Sequence, residues 1–272
     1  MKKLTRKKKY RSQGKDLQMI NSTACLPFRA LVRIILVAAV ALALGCSGQK
    51  SGAAITGPTA TGSTQNLIVN GNAEAAAGSI DGTPVTTPGW VSQGEATAAQ
   101  YGINLWPALT DTGPADRGLN LFSGGQDDSA SSLTQAIDVS RYASSIDKGH
   151  VTYTLSGWLG GYDGQDDNST VSVTFKDGQG HELGTGSIGP VLASDRSNQT
   201  GLLPQSSEGP VPAKTRTATV EILMIRTDGT NNDGYADNLS IVFNGIDSTL
   251  LGSGALLKTG AAQLPIQAPT AP

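Results

Sequence analysis

The sequence predicts an all-β protein, a sandwich or jelly roll, on three observations. Several stretches alternate apolar with small polar residues at a period of two, the signature of half-buried strands. The segments between them are short and rich in Gly, Asp and Asn, and the chain carries 34 glycines. No stretch of ten residues shows the apolar spacing of an amphipathic helix. Many short strands at regular spacing bury their apolar faces most simply by packing sheet on sheet.

The first 45 residues read as a signal segment, expected to be helical and to be removed. Ten basic residues precede position 34, among them Lys2, Lys3, Arg29 and Arg33, and an apolar run follows from Ile34 to Leu44. A basic segment, a short apolar segment and a small residue before the cut are the parts of a secretory signal. The apolar run falls short of the roughly 20 residues a transmembrane helix needs. The basic segment is long, and either Met1 or Met19 serves as a start. Leu42-Ala43-Leu44-Gly45-Cys46 resembles the lipobox of bacterial lipoproteins. That resemblance implies cleavage before Cys46, a diacylated (palmitate-type) thiol and an acylated new amino terminus. One acyl chain binds a membrane marginally, whereas two or more anchor stably. The expected location is the cell envelope, facing the periplasm or exterior. Ser47 after the cysteine is compatible with outer-membrane sorting.

Charge divides at the same point. After residue 45 there are ten Lys and Arg against 21 Asp and Glu, a net of −11 that the whole-chain value of −2 conceals. Such a domain is repelled by phosphate backbones, which excludes nucleic acid as a partner. Cys25 falls in the segment removed and Cys46 is the lipid site, so no cysteine is left for a disulfide or a thiolate metal site. Residues 46–65, small and Gly/Ser/Thr-rich after the cysteine, read as a flexible tether. The domain is expected over 66–244 as a monomer. Residues 245–272 read as a tail or a strap.

The strands are expected in order at 66–70, 90–91, 98–101, 120–122, 133–139, 151–159, 171–175, 202–207, 217–226 and 239–243. The clearest are Val171 to Phe175, Val220-Ile222-Met224 and Leu239-Ile241-Phe243, each placing alternate apolar residues on one face. Ser140–Asp147 is the one helical piece. Asp177-Gly178, Asp228-Gly229 and Asp233-Gly234 read as turns, since glycine tolerates positive φ and aspartate caps the turn. Gly113 to Gly118 is another turn, in which Asp116 and Arg117 are expected to pair locally.

Two stretches carry a family resemblance. Asn66-Leu67-Ile68-Val69-Asn70-Gly71-Asn72-Ala73-Glu74 resembles the opening strand, "NLLxNGxFE", of galactose-binding-like jelly rolls, a group that includes many carbohydrate-binding modules. Gly234-Tyr235-Ala236-Asp237-Asn238-Leu239-Ser240-Ile241 resembles their closing strand, "xYxDDVxL". A jelly roll brings its first and last strands together, so Glu74 and Asp237 are expected to meet. Two carboxylates at close range repel unless a cation lies between them, and calcium takes 6 to 8 oxygen ligands. The resemblance implies a structural calcium with Glu74 and Asp237 as ligands. The alternative is that both acids cap turns or face solvent. Ala73 and Asn72 depart from the family, which often has an aromatic and Asp there.

The resemblance also implies a glycan ligand. Sugar sites pair an aromatic face with groups that hydrogen-bond hydroxyls. Tyr162, Asp166, Asp167 and Asn168 form one candidate set, at the end of a strand and the start of an acidic loop. Tyr101 and Trp106 form another, with Trp106 either a loop anchor or a lid. Trp158 and Trp90 are read as core. Gly124 to Asp128 lacks the spaced ligands of a calcium-binding EF-hand loop and reads as a connection.

No nucleophile elbow, metalloprotease helix or phosphate loop is present. The expectation is a non-catalytic, glycan-binding module on a lipid anchor. The alternatives are an adhesive lipoprotein that contacts a protein or the cell wall and, third, a polysaccharide hydrolase or lyase.

Overall fold

The computed structural model describes residues 60–103 and 106–251. The expected signal segment, the lipid-bearing Cys46 and the tail beyond residue 251 lie outside the described residues.

Eleven strands are formed among the described residues: β1 (Thr61–Ser63), β2 (Val91–Gln93), β3 (Thr97–Gln100), β4 (Asn120–Gly125), β5 (Ala130–Asp138), β6 (Thr152–Gly161), β7 (Asn168–Lys176), β8 (Glu182–Ile188), β9 (Gly201–Pro210), β10 (Thr217–Ile225) and β11 (Asn232–Asp247). They make two sheets, one ordered β3-β4-β11-β6-β9 with β1 also on β11, the other ordered β2-β5-β10-β7-β8. Every ladder is antiparallel. The protein is the expected all-β sandwich. The expected helical piece is a 3-10 turn at Ser140–Tyr142 running into α1 (Ala143–Ile146).

Alternation builds the core. Tyr153, Leu155 and Leu159 of β6, Val171, Val173 and Phe175 of β7, and Val220, Ile222 and Met224 of β10 all turn inward. Leu239, Ile241 and Phe243 of β11 meet them. The Phe175 ring lies 5.2 Å from Tyr153 and 6.3 Å from Phe243, centroid to centroid. Each large apolar side chain so buried contributes about 1.5–3 kcal/mol before conformational entropy is set against it.

β11 organises the first sheet. β6 runs along one side of it, from Tyr235↔Gly160 to Asn244↔Thr152, while the other side is shared between β4 at Asn232–Ala236 and β1 at Asn244–Asp247. The opening stretch continues β1 beside β11: Leu67 N donates to Ile241 O at 2.9 Å and Leu239 N to Gly71 O at 2.8 Å. Asn66 locks this pairing, donating to Leu239 O and accepting from Ile241 N, each at 3.0 Å. First and last segments are thus adjacent.

Four expectations are corrected. β8 was not foreseen. β1 lies inside the segment 46–65 read as tether, and β11 runs to Asp247, past the expected boundary at 244. Asp233-Gly234 is not a turn but part of β11. Gly234 is there for space: a Cβ on it would sit 2.4 Å from Asn168 O of the facing strand.

Candidate functional site

The outer face of the first sheet is partly roofed. The chain between β3 and β4 leaves one edge of that sheet, and at Thr112 it reaches the opposite edge, where Leu202 N of β9 donates to Thr112 O at 2.9 Å. Under this crossing lies a second apolar cluster of Ala99, Tyr101, Trp106, Leu121, Leu202 and Tyr235, with Ile103 and Trp158 against it. Tyr101 and Trp106 are therefore corrected as sugar platforms: they are 6% and 9% exposed, packed on the sheet. The Trp106 indole N–H donates to Ser123 Oγ at 3.3 Å.

The same crossing builds an acidic pocket. Asp237 is fully buried, its Oδ2 accepting from Tyr101 Oη at 2.8 Å and its Oδ1 from Asn238 N at 2.6 Å. Burial pushes its carboxyl up to about 7; the bonds from Tyr101 and Asn238 oppose this, and the charges of Glu74 and Asp116 add to it. Burial, with the Asp237 charge beside it, holds the proton on the Tyr101 phenol. Glu74 Oε1 accepts from Leu119 N at 2.8 Å and Asn120 N at 2.7 Å. The charge of Glu74 reaches the Asp237 carboxyl, and Glu74 also fastens the start of β4. Asp116 and Arg117 do not pair. Asp116 Oδ1 accepts from Asn238 Nδ2 at 2.9 Å. Arg117 donates to the carbonyls of Pro114 and Asp111 at 3.0 Å each and to Ala108 O at 3.4 Å, with its guanidinium 5.1 Å from the Tyr101 ring centroid.

Where the roof ends, the sheet face opens into a groove of about 530 Å3. That volume is within the range of small-molecule sites. Its walls include Asn70, Asn72, Asp116, Trp158, Asn238 and Ser240. Each comes from a strand feature. Trp158 points outward on β6 because Tyr153, Leu155 and Leu159 point inward. Asn238 sits at φ 49° in the bulge between Asp237 and Ser240, which turns its side chain toward Asp116. Gly71 lets the opening segment close on β11, since a Cβ there would lie 2.2 Å from Leu239 O. Trp158, read as core, packs half-buried against the second apolar cluster and also forms a wall of the groove. The signal was in the sequence: in an alternating strand with Leu155 and Leu159 inside, residue 158 faces out.

The other candidate set is mostly structural. Asp167 is fully buried, and its carboxylate accepts from Thr227 N at 2.6 Å, Thr227 Oγ1 at 3.2 Å, Asp228 N at 2.9 Å and Asp233 N at 3.0 Å. It ties down the β10–β11 connection and is corrected as a ligand contact. Asp166 accepts from Ala193 N at 3.0 Å, and Asn168 donates to Asp166 O at 2.8 Å. Arg196, 6% exposed, donates to the carbonyls of Asp163, Gln165 and Gln199 and so joins this loop to the 193–200 segment. Tyr162 alone of the set presents its ring, at 44% exposure.

Among the described residues, no group of three or more His, Cys, Asp or Glu is placed to hold a metal. The Glu74 charge acts on the Asp237 carboxyl, and the carboxylate oxygens of both keep lone-pair capacity beyond the bonds named. The buried Asp237 carboxylate is costly when ionised, a cost that a cation offsets.

No family model and no curated protein matches the sequence. Several solved structures do. The enzymatically active domain of tailspike protein 4 from bacteriophage CBA120 is 16% identical over 65% of this chain, with a TM-score of 0.39; the match spans only 21% of that chain. A family 16 carbohydrate-binding module is 20% identical over 65% of this chain and 99% of its own, with a TM-score of 0.35. The CBM22-1 xylan-binding domain of Paenibacillus barcinonensis Xyn10C is 14% identical over 61% of this chain and 96% of its own, with a TM-score of 0.34. These overlaps are partial, and what the groove holds is decided by its own residues.

Proposed function

We propose that this chain is a lipid-anchored protein of the bacterial envelope whose β-sandwich binds a glycan, without reacting with it, in the groove beside Trp158. One observation carries the reading: an outward-facing indole forms a wall shared with Asn72, Asn238, Ser240 and Asp116. The ring face suits the apolar C–H surface of a sugar, and the amides, hydroxyl and carboxylate suit its hydroxyls. Asp116 is the one carboxylate among the lining residues, whereas glycoside hydrolysis uses two across a cleft. This favours binding over catalysis.

A structural calcium between Glu74 and Asp237 belongs to the same reading. When bound it neutralises the pair and holds the opening segment against β11. Export and acylation at Cys46 place the domain outside the cytosol.

A glycan array probed with the purified chain tests the binding. Signal lost in Trp158→Ala and weakened in Asn72→Ala supports it; no signal on any glycan, with the fold intact by circular dichroism, overturns it. Mass spectrometry of detergent-extracted protein tests the anchor. A chain beginning at acylated Cys46 is expected, and an unmodified Met1 or Met19 terminus in the cytosolic fraction contradicts it.

A further inference from the structure

We infer that the groove selects uncharged glycans and rejects those bearing carboxylate, sulfate or phosphate. The inference rests on the glycan reading above and adds the charge class of the ligand. Among the lining residues the only charged side chain is Asp116. It is exposed, and its bond from Asn238 Nδ2 holds it at the groove wall. The nearest cation in sequence, Arg117, is not among the groove's lining residues. Three carbonyls of the β3–β4 crossing and the Tyr101 ring hold its guanidinium in that crossing, away from the lining. No lysine, arginine or histidine is among the groove's lining residues.

An anionic sugar entering here meets like charge and no compensating donor cation. The lining offers amides, a hydroxyl and an indole N–H, which satisfy neutral hydroxyl or acetamido groups. Should a cation neutralise Glu74 and Asp237, Asp116 still keeps the groove acidic. Like charges about 6 Å apart in a partly solvated groove weaken binding by about tenfold. Salt reduces that difference, because the Debye length shortens to about 3 Å at 1 M.

The test uses the purified chain in affinity electrophoresis and calorimetry against matched pairs: mannan with mannuronan, and carboxyl-reduced polygalacturonate (an α-1,4-galactan) with polygalacturonate. A neutral member is expected to bind, and its uronate partner at least about tenfold more weakly, with the gap narrowing in high salt and in Asp116→Asn. The Asn variant keeps an acceptor for Asn238 and removes only the charge. Equal or tighter binding of the uronate overturns the inference while leaving the glycan reading intact. So does a gap that Asp116→Asn does not narrow. Absence of binding to all four polymers together with a blank glycan array removes the glycan reading and this inference with it.

Discussion

The Tyr101 hydroxyl and the Asp237 carboxylate meet at 2.8 Å beneath the chain segment that crosses the first sheet, with Asp237 wholly shielded from solvent. This bond couples the crossing segment to the central strand. Tyr101→Phe removes the donor and leaves a buried acceptor oxygen short of a partner. The expected loss is about 1–3 kcal/mol, read as a lower urea midpoint at neutral pH with an unchanged m-value. An unchanged midpoint would show that the crossing is held without this bond.

Asp237 also sets a pH dependence. Its folded carboxyl titrates near 7, above the ordinary value of 3.8. Between those values the folded state binds more protons than the unfolded one, so stability in chelated protein falls as pH rises from about 4 to about 7. Calcium stabilises the ionised form and flattens that slope, and chelator lowers the melting temperature at pH 7. Asp237→Asn is expected to abolish both the slope and the chelator effect. Melting curves at a series of pH values, with calcium and with chelator, give the answer. Identical curves in the two conditions would remove the calcium site.

Asp167 is the anchor of the β10–β11 connection rather than a ligand contact. Asp167→Ala strands the amides of Thr227, Asp228 and Asp233. A destabilisation of about 1–3 kcal/mol is expected, since the buried Asp233 amide loses its acceptor while the exposed Thr227 and Asp228 amides can turn to water. Hydrogen exchange localises it: those three amides lose protection while β5 and β7 stay protected. Uniform loss across the sandwich would show a global role instead.

Much of the sandwich was legible because alternation is a local signal. Val171 to Phe175 and Leu239 to Phe243 occupy the strand positions and faces that their period of two required. β8 was not legible, because its two apolar residues, Leu183 and Ile188, fall at opposite parity with only Gly, Thr and Ser between them. Asp233-Gly234 has turn chemistry but strand geometry, imposed by the close approach of Asn168. The adjacency of the opening segment and β11 came from the resemblance of the two terminal segments. The burial of Tyr101 and Trp106 depends on a connection folding back over the sheet, a tertiary event with no local signature. Trp158 was readable from strand parity and was read by residue type instead, so the groove was missed.

The central claim is that the ligand lies in the groove beside Trp158, and an NMR titration of the isotope-labelled chain with a bound glycan tests it most directly. Amide and side-chain shifts are expected at Asn72, Asp116, Asn238, Ser240 and the Trp158 indole, with little change near Tyr162 and residues 193–200. Shifts confined to Tyr162 and its loop, with the groove silent, would contradict the account.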